Sequence, residues 1–295
     1  MKQEPKITLD HIARCRERAL AAGALMPMEA QNHALEENGL PYEARWISTL
    51  SLKIMAKSLE AAGKVQKNPF LPYEQDLYVA DLSESHVMIF NKFGISKDHL
   101  LAITRRFEPQ EEILNSEDFN AVAPILTDLG GLLMFNGGSA AGASQPHKHF
   151  HLMPHREVPL DDHFCALVKE RRLTKVPEFQ FVHALTALDL KPEMSAEEKS
   201  GMLQDAYQAC LAACQLSPEE GGATMPAYNI LASSKWFLVV PRSRTAWVDG
   251  DARVHVHSMT FGGEVGVANE EQIEVVKRVG FLRILEATTL PVKAC

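Results

Sequence analysis

Three histidines alternate with other residues in the segment HKHFHLMP, at His147, His149 and His151. Alternate side chains of a β-strand point to the same face, so a strand here places the three imidazoles in a row and turns Lys148 and Phe150 to the other face. Imidazole nitrogens need polar partners when they are buried, and packing alone rarely explains three of them side by side. The pattern therefore indicates a chemical role.

The spacing leaves three interpretations of this row open. In the first, the central His149 attacks phosphorus with one ring nitrogen while a hydrogen-bond acceptor holds the other, and its neighbours bind phosphate oxygens or protonate the leaving group. In the second, the three histidines bind a metal ion, as His-x-His strand pairs do in zinc enzymes. In the third, they are structural or exposed.

The segment that precedes the histidines favours phosphate chemistry. It reads NGGSAAGASQP and consists mainly of glycine, alanine and serine. Such small residues let the backbone approach a polyphosphate closely and present amide donors to it. Ser144 and Gln145 add side-chain donors next to the histidines. A zinc site has no need of this loop, so loop and histidines together favour a nucleotide phosphate.

Composition limits the classes of protein that this chain can belong to. It has 295 residues, of which 46% are hydrophobic, and this is enough for one large core or two modest ones. Its net charge of −8 argues against general nucleic-acid binding but permits a small anionic ligand. The five cysteines are scattered without a CxxC pair, which argues against a disulfide framework or a four-cysteine zinc site.

Targeting signals are also missing from the sequence pattern. No apolar run approaches the roughly 18 residues that cross a bilayer, and the first residues are polar, unlike a signal peptide. We therefore expect a cytoplasmic protein that binds neither a membrane nor nucleic acid.

Hydrophobic periodicity predicts a similar order of elements in the two halves of the chain. In the first half we predict a helix over 8–22, a helix or a strand and helix over 48–62, strands over 78–82, 86–91 and 99–104, a helix over 116–134, a loop over 134–146 and a strand over 147–154. In the second half we predict a helix over 195–214, strands over 227–233, 236–243 and 254–263, and a helix over 270–288. The expected fold class is α+β, with two related half-folds whose antiparallel sheets are flanked by helices.

The segment NGGSAAGASQPHKHFHLMP resembles the active-site strand of the histidine-triad and galactose-1-phosphate uridylyltransferase superfamily. Over nearly its whole length the chain is similar to one branch, the diadenosine tetraphosphate phosphorylase or ATP adenylyltransferase family, with further matching stretches at 68–110, 228–244 and 269–288. The resemblance implies a histidine-triad-like (HIT-like) fold. It also implies a catalytic domain over 1–178 and an adenylyltransferase-like domain over 179–295.

The resemblance further implies the reaction and the residues that perform it. Diadenosine tetraphosphate and inorganic phosphate give ATP and ADP through an adenylylated histidine, and the family's nucleophile falls on His149. The positions expected to bind substrate are Lys53, Asn91, Lys92, Asn136, Gly142, Ala143, Ser144, Gln145, His147, His151, His257, Ser258 and Met259. The expected partners are these small nucleotides and phosphate, and the expected assembly is a monomer or a homodimer. Mg²⁺ is a candidate companion of the polyphosphate, but no residue is assigned as a metal ligand.

The sequence departs from the family pattern at three positions. The family motif usually ends in glutamine where this chain has His151, and a histidine there is the pattern of the hydrolase branch. A late lysine of the family is Ala268 here, and a neighbouring apolar position is Glu264. These changes leave phosphorolysis and hydrolysis both open, and they predict an altered substrate preference.

Three other functions remain alternatives to a nucleotidyltransferase. One is a metal-dependent hydrolase that uses the three histidines as ligands, which stoichiometric zinc would support. Another is a nucleotide-binding protein without catalytic activity, which a turnover assay would reveal. The third is uridylyl transfer to a sugar phosphate, which only a panel of substrates separates from adenylyl transfer.

Overall fold

The chain contains one large antiparallel sheet and two small ones in a computed structural model that describes residues 7–47, 68–170 and 173–292. The strands are β1 (Ala30–Glu37), β2 (Leu40–Ile47), β3 (Tyr78–Asp81), β4 (His86–Phe90), β5 (Leu100–Thr104), β6 (Leu132–Gly137), β7 (His149–Met153), β8 (Leu173–Thr174), β9 (Ala184–Ala187), β10 (Tyr228–Ala232), β11 (Trp236–Pro241), β12 (Ala246–Asp249), β13 (Ala252–His255) and β14 (Glu264–Val267). The helices are α1 (Leu9–Ala21), α2 (Ser116–Asp128), α3 (Asp161–Glu170), α4 (Ala196–Ala213), α5 (Ser258–Phe261), α6 (Glu270–Val279) and α7 (Phe281–Glu286). The predicted α+β class, with antiparallel strands flanked by helices, is confirmed.

The large sheet runs through both halves in the order β3-β4-β5-β7-β6-β10-β11-β9-β8. Its centre is the antiparallel pair β6 and β10, which joins the first half of the chain to the second. In each half the long helix, α2 or α4, precedes the central strand, and these two helices pack against each other. The two halves therefore have related layouts around a shared sheet, and their division at residue 178 stays a prediction.

Two apolar cores cover the two faces of this sheet. The first packs α1, α2 and α4 on one face and includes Phe119, Phe150 and Tyr207. The second packs β2, β14 and the last helices on the other face, around Trp236 and Phe261. Because both faces are covered, strands β4, β5, β6, β10 and β11 are buried at every position.

Two smaller sheets lie outside this layer. Strands β1 and β2 form an antiparallel hairpin, and β14 joins β2 in parallel, with Glu264 opposite Glu43. Strands β12 and β13 form a separate hairpin. Within the described residues, no helix combines the length and the apolar composition that a membrane crossing requires.

The structure corrects four predicted elements, and the first two are the helix over 116–134 and the loop over 134–146. The helix predicted over 116–134 ends at Asp128, because Gly130 and Gly131 adopt positive φ values of +65° and +90°. The run Leu132–Gly137, predicted as the end of that helix and the start of a loop, is strand β6. A Cβ atom on Gly131 would lie 2.0 Å from the carbonyl oxygen of Met153, so this close approach requires glycine.

The remaining corrections lie in the second half. The strand predicted over 254–263 is wrong, because the chain there forms the end of β13, the short helix α5 and a turn into β14. The single helix predicted over 270–288 is interrupted at Gly280, whose φ is +96°, and forms α6 and α7. The predictions over 48–62 and at residues 1–6 fall outside the described residues.

Candidate active site

The site is built around His149, the first residue of β7, whose side chain is almost completely buried. Its Nδ1–H donates a hydrogen bond to the carbonyl oxygen of His147 at 2.8 Å. This bond fixes the tautomer, because the proton sits on Nδ1 and the lone pair remains on Nε2. Burial lowers the pKa of His149 to about 4. The imidazole is therefore neutral near pH 7, as a nucleophile must be.

His147 contributes to the site through its backbone. It precedes β7, pairs with Pro109 and is completely buried. The side-chain amide of Asn68 donates to its Nδ1 at 2.9 Å, and its Nε2–H donates to the carbonyl of Thr104 at 2.9 Å. Both ring nitrogens are thus engaged within the fold. The geometry favours a positioning role for His147, which was predicted among the substrate-binding residues.

His151 lies beside His149, with their ring centroids 5.1 Å apart. Its Nδ1 is 2.9 Å from Nε2 of His99, so this pair shares one proton, and no hydrogen bond from the described residues engages Nε2 of His151. Burial, together with the neighbouring histidines, holds the pKa of His151 well below its usual range. Burial followed by the charge of Arg45 lowers the pKa of His99 to about 3. Both rings are therefore neutral.

Lys148 points to the opposite face and is completely buried. Its Nζ donates to Glu108 at 2.7 Å and to Asp118 at 3.3 Å, and Asp118 also accepts a bond from His86 at 3.1 Å. Burial alone would lower the pKa of Lys148, but the two carboxylates outweigh it and raise that pKa. This lysine therefore fixes the position of β7 through ion pairs on the face opposite the histidines.

A buried glutamine ties the nucleophile to the neighbouring strand. The Gln110 side chain accepts a hydrogen bond from the backbone N–H of His149 at 2.8 Å. Its amide donates to the carbonyls of Asn136 at 2.9 Å and of His149 at 3.2 Å. Since Gln110 has no exposed surface, these bonds compete little with water. They fix β7 and the end of β6 relative to each other.

Residues in the second half of the chain form hydrogen bonds to the small-residue loop. Asn229 on β10 donates to the side-chain oxygen of Asn136 at 2.7 Å and to the carbonyl of Ala141 at 2.9 Å. Arg242 is buried, donates to the side chain of Asn229 and donates to the carbonyl of Val256 at 3.0 Å. Burial lowers the pKa of Arg242 to about 9. Neutral acceptors thus hold the Arg242 guanidinium next to the loop, where its positive charge favours the binding of an anion.

The loop and the residues after β13 are in direct contact. Gly142 has a φ of +95°, and a Cβ atom there would lie 3.2 Å from Cβ of His257. The backbone N–H of Ser258 donates to the side chain of Asn136 at 3.0 Å. The predicted residues His257, Ser258 and Met259 therefore border the loop although they are more than one hundred positions away in the sequence. Ser258 and Met259 are buried, and Ser144 is exposed at the rim.

The other predicted residues have mixed positions. Lys92 forms an ion pair with Glu74 at 2.6 Å, so its ammonium already has a partner. The side-chain amide of Asn91 lies 3.5 Å from Nε2 of His99, at the rear of the histidine pair. Ala143 and Gln145 are partly exposed in the loop. Lys53 lies outside the described residues.

The metal-ligand interpretation of the three histidines requires their nitrogens to converge. The ring of His147 is committed to Asn68 and Thr104, and Nδ1 of His149 is committed to a backbone carbonyl. Among the residues that the structure describes, no group of three His, Cys, Asp or Glu side chains is arranged to hold a metal ion. The geometry therefore favours separate roles for the three histidines.

The sequence prediction missed several residues that shape the site. Four of them come from distant parts of the chain: Asn68, His99, Gln110 and Asn229. Each lies in a stretch that resembles the family, 68–110 or 228–244, but each acts through a contact more than 35 positions away that the stretch itself does not reveal. Only the isolated polar position within an apolar strand, as at Asn229 in YNILAS, offers a signal in the sequence.

Comparison with known families assigns both parts of the chain. Residues 1–166 match the family described as the Ap4A phosphorylase N-terminal domain. Residues 177–291 match the ATP adenylyltransferase C-terminal domain.

Two characterised yeast proteins are similar in sequence. Diadenosine 5',5'''-P1,P4-tetraphosphate phosphorylase 2 of Saccharomyces cerevisiae is 27% identical over 235 residues, which cover 70% of this chain and 71% of that protein. Protein APA1 of the same yeast is 24% identical over 206 residues, which cover 64% of this chain and 63% of that protein.

Solved structures agree in fold over the whole chain. The crystal structure of yeast Ap4A phosphorylase Apa2 in complex with AMP superposes with a TM-score of 0.77 at 21% identity and covers 100% of both chains. The complex of the same enzyme with Ap4A gives a TM-score of 0.74 at 20% identity, again over 100% of both chains. At this level of identity the likeness establishes the fold.

Proposed function

The chain belongs to the Ap4A phosphorylase and ATP adenylyltransferase family, and from this premise we propose that it cleaves diadenosine tetraphosphate with inorganic phosphate to ATP and ADP. One yeast relative is named as a diadenosine tetraphosphate phosphorylase, and His149 of this chain has the state that the nucleophile requires. One observation carries the proposal: Nδ1–H of His149 is bound to the carbonyl of His147, which leaves a neutral lone pair on Nε2.

In the first step, Nε2 of His149 attacks the phosphorus next to one adenosine. A bond forms between nitrogen and phosphorus, and the bond from that phosphorus to the bridging oxygen breaks, so that ATP leaves. The ring gains positive charge, which the carbonyl of His147 stabilises through the existing 2.8 Å hydrogen bond. Backbone amides of the loop and the Ser144 and Gln145 side chains meet the negative charge that builds on the non-bridging oxygens.

In the second step, an oxygen of inorganic phosphate attacks the same phosphorus and the nitrogen–phosphorus bond breaks. The products are ADP and free His149, which keeps its Nδ1 proton throughout. His151 has one nitrogen free on the same side as the nucleophile, where it can donate to or accept a proton from the leaving or entering oxygen.

The adenylylated histidine can be trapped. We expect a mass increase of one AMP when the protein is incubated with diadenosine tetraphosphate in the absence of phosphate and quenched in base, since phosphoramidates survive base. His149→Ala should abolish the adduct, and His255→Ala, at an exposed histidine on β13, should retain it. An adduct that persists in His149→Ala would refute the assignment of the nucleophile.

A second candidate reaction is hydrolysis, and the observation that favours it is His151 at the position where the family has glutamine. A neutral imidazole can accept a proton from water, which an amide cannot do. Product analysis separates the two reactions: ATP and ADP with phosphate present indicate phosphorolysis, and ATP and AMP indicate hydrolysis.

Three accompanying predictions stay open to direct measurement. They are a cytoplasmic location, a monomeric or homodimeric state and a requirement for Mg²⁺ that enters with the polyphosphate. Light scattering of the purified protein measures the assembly, and the adduct assay with and without Mg²⁺ measures the requirement.

A further inference from the structure

A cluster of buried charges lies next to the histidine pair and has no role in the reaction described so far. Arg45 on β2 donates to Glu264 on β14 at 3.2 and 3.3 Å. Arg156, which follows β7, bonds to the same Glu264 carboxylate and to Glu43 at 3.2 Å. Arg45 and Glu264 are almost completely buried, while the Arg156 side chain is 21% exposed. Two arginines thus share one buried carboxylate.

Several polar atoms of this cluster and its surroundings lack a hydrogen-bond partner. Within the described part of the chain, Nε of Arg45, Nε of Arg156, Oγ of Ser96 and Nδ1 of His99 are buried without a hydrogen-bond partner. An unpaired buried polar group costs about 1 to 3 kcal/mol, and more when it is charged. The two arginine Nε groups can only donate. A missing acceptor, and therefore an anion, would satisfy them.

The two arginines lie near His99, and Arg45 also contacts the segment that contains Ser96. Arg45 also bonds to the carbonyl of Ile95, the residue before Ser96. The charges of Arg45 and Arg156 both contribute to the lowered pKa of His99, which places them near that ring. His99 in turn is bound to His151, beside the nucleophile. The side chain of His151 therefore lies between this cluster and His149, which attacks the phosphate in the proposed reaction.

The same region lacks the lysine that the family resemblance places late in the second half. Ala268 stands there, and its backbone N–H is bound to the side chain of Gln272. Glu264, at a position where the family has an apolar residue, serves as the counter-ion of both arginines. An arginine pair on one carboxylate is strongly destabilised if that carboxylate is removed. The two substitutions, Ala268 and Glu264, therefore occur together with two arginines bound to the new carboxylate.

We infer that Arg45 and Arg156, held in place by Glu264, form with Ser96 and His99 a binding subsite for a phosphate group that is not bonded to His149. The inference rests on the proposed function. Arginine suits this role, because its planar fork binds phosphate oxygens through two N–H groups at once. Two sources supply such a group: the distal phosphates of the dinucleotide, or the inorganic phosphate that attacks the adenylylated histidine.

Arg156→Gln tests the subsite, because Arg156 is partly exposed and its loss disturbs the fold least. Arg278→Gln removes one exposed charge from α6 and serves as the matched control. Adduct formation is followed with diadenosine tetraphosphate in the absence of phosphate, and adduct discharge is followed as a function of added inorganic phosphate. We expect a change of about tenfold or more in one of the two steps in Arg156→Gln and none in Arg278→Gln.

The step that changes identifies the source. A higher phosphate concentration at half-maximal discharge, with normal formation, shows that the subsite takes inorganic phosphate. Slower formation, with normal discharge, shows that it takes the distal phosphates. Normal values for both steps in a folded Arg156→Gln protein would overturn the inference.

The binding of inorganic phosphate can also be measured without the reaction, so that the subsite is tested independently of the proposed function. Inorganic phosphate should raise the thermal unfolding midpoint of the wild type and of Arg278→Gln, and should have a smaller effect on Arg156→Gln. If the wild type forms no adduct, the proposed function fails, yet this measurement still reports on the subsite. Equal stabilisation of Arg156→Gln and wild type by phosphate, together with unchanged formation and discharge steps, would show that the subsite does not exist.

Discussion

On one face of residues 147–151 the ionisable side chains are imidazoles without a carboxylate partner, and on the other face the ionisable side chain is Lys148 with two carboxylates. His147, His149 and Lys148 are all buried, but the pKa values of the two histidines are lowered and that of Lys148 is raised. Burial lowers the pKa of His149 to about 4, whereas Glu108 and Asp118 outweigh burial and raise the pKa of Lys148. Burial thus keeps the reactive face neutral, and pairing keeps the anchoring face charged.

This difference explains how one short strand serves both chemistry and stability. A nucleophilic imidazole must hold a lone pair, so a nearby carboxylate that favoured protonation would inactivate it. A buried lysine, in contrast, is stable only where carboxylates compensate its charge. The two faces therefore require different surroundings, and each measurement below perturbs one face.

Removal of the buried lysine should have the largest effect. Lys148→Met leaves Asp118 buried with its main cation removed, and we expect a loss of about 3 to 5 kcal/mol in the free energy of unfolding. Chemical denaturation measures this loss. The double variant Lys148→Met with Asp118→Asn should recover part of it, because the uncompensated carboxylate is gone.

A matched control for that variant is Lys277→Met. Lys277 pairs with Glu274 at 2.7 Å on the exposed face of α6 and should contribute at most about 0.5 kcal/mol. If Lys148→Met were no more destabilising than Lys277→Met, the buried ion network would not anchor the strand.

The neutral buried histidines should make the free energy of unfolding decrease as the pH falls. Unfolded histidines take up protons near pH 6.5, but folded His149 does so only at about 4 and folded His99 only at about 3. The unfolded state therefore binds more protons as the pH falls from about 6.5 toward 4, and the free energy of unfolding falls by up to about 1.4 kcal/mol per pH unit for each such histidine.

Denaturation at a series of pH values between these limits measures the slope. His99→Asn removes one of the contributing histidines, so its slope should be shallower than that of the wild type. A stability that stays constant from pH 7 down to 5 would contradict the neutral state of the buried imidazoles.

The smallest expected effect is on the rate of the first chemical step. Because His149 is already neutral well below pH 6.5, the rate of adduct formation should show no inflection near that value between about pH 5 and 8. Rapid-quench measurement of the adduct gives this rate on protein that remains folded. An inflection near pH 6.5 would mean that the nucleophile has an ordinary pKa.

Much of the reactive strand could be predicted from the sequence. The alternation of His149, Phe150 and His151 identifies the two faces of β7, since the side-chain period of a strand is fixed by its backbone. The small residues before it predicted a loop, and the structure places that loop against His257. The spacing placed Lys148 on the opposite face, but it did not predict that this side chain is completely buried and paired with two carboxylates.

Other elements could not be predicted because local patterns fit two structures equally well. The apolar run 132–137 suits the end of a helix or a buried strand, and only its pairing with β7 and β10 makes it β6. The run 254–263 alternates like a strand, but packing against the loop requires the short helix α5 there.

The sequence by itself determined the spacing of the three histidines, the small residues before them and the α+β class, because these depend on side-chain type and on the period of a strand. Tertiary structure alone decided which distant groups complete the site: His99 behind His151, Gln110 across β6 and β7, and Arg45 with Glu264 beside them. Contacts between residues so far apart depend on how two sheets and several helices pack, and no local pattern encodes that packing.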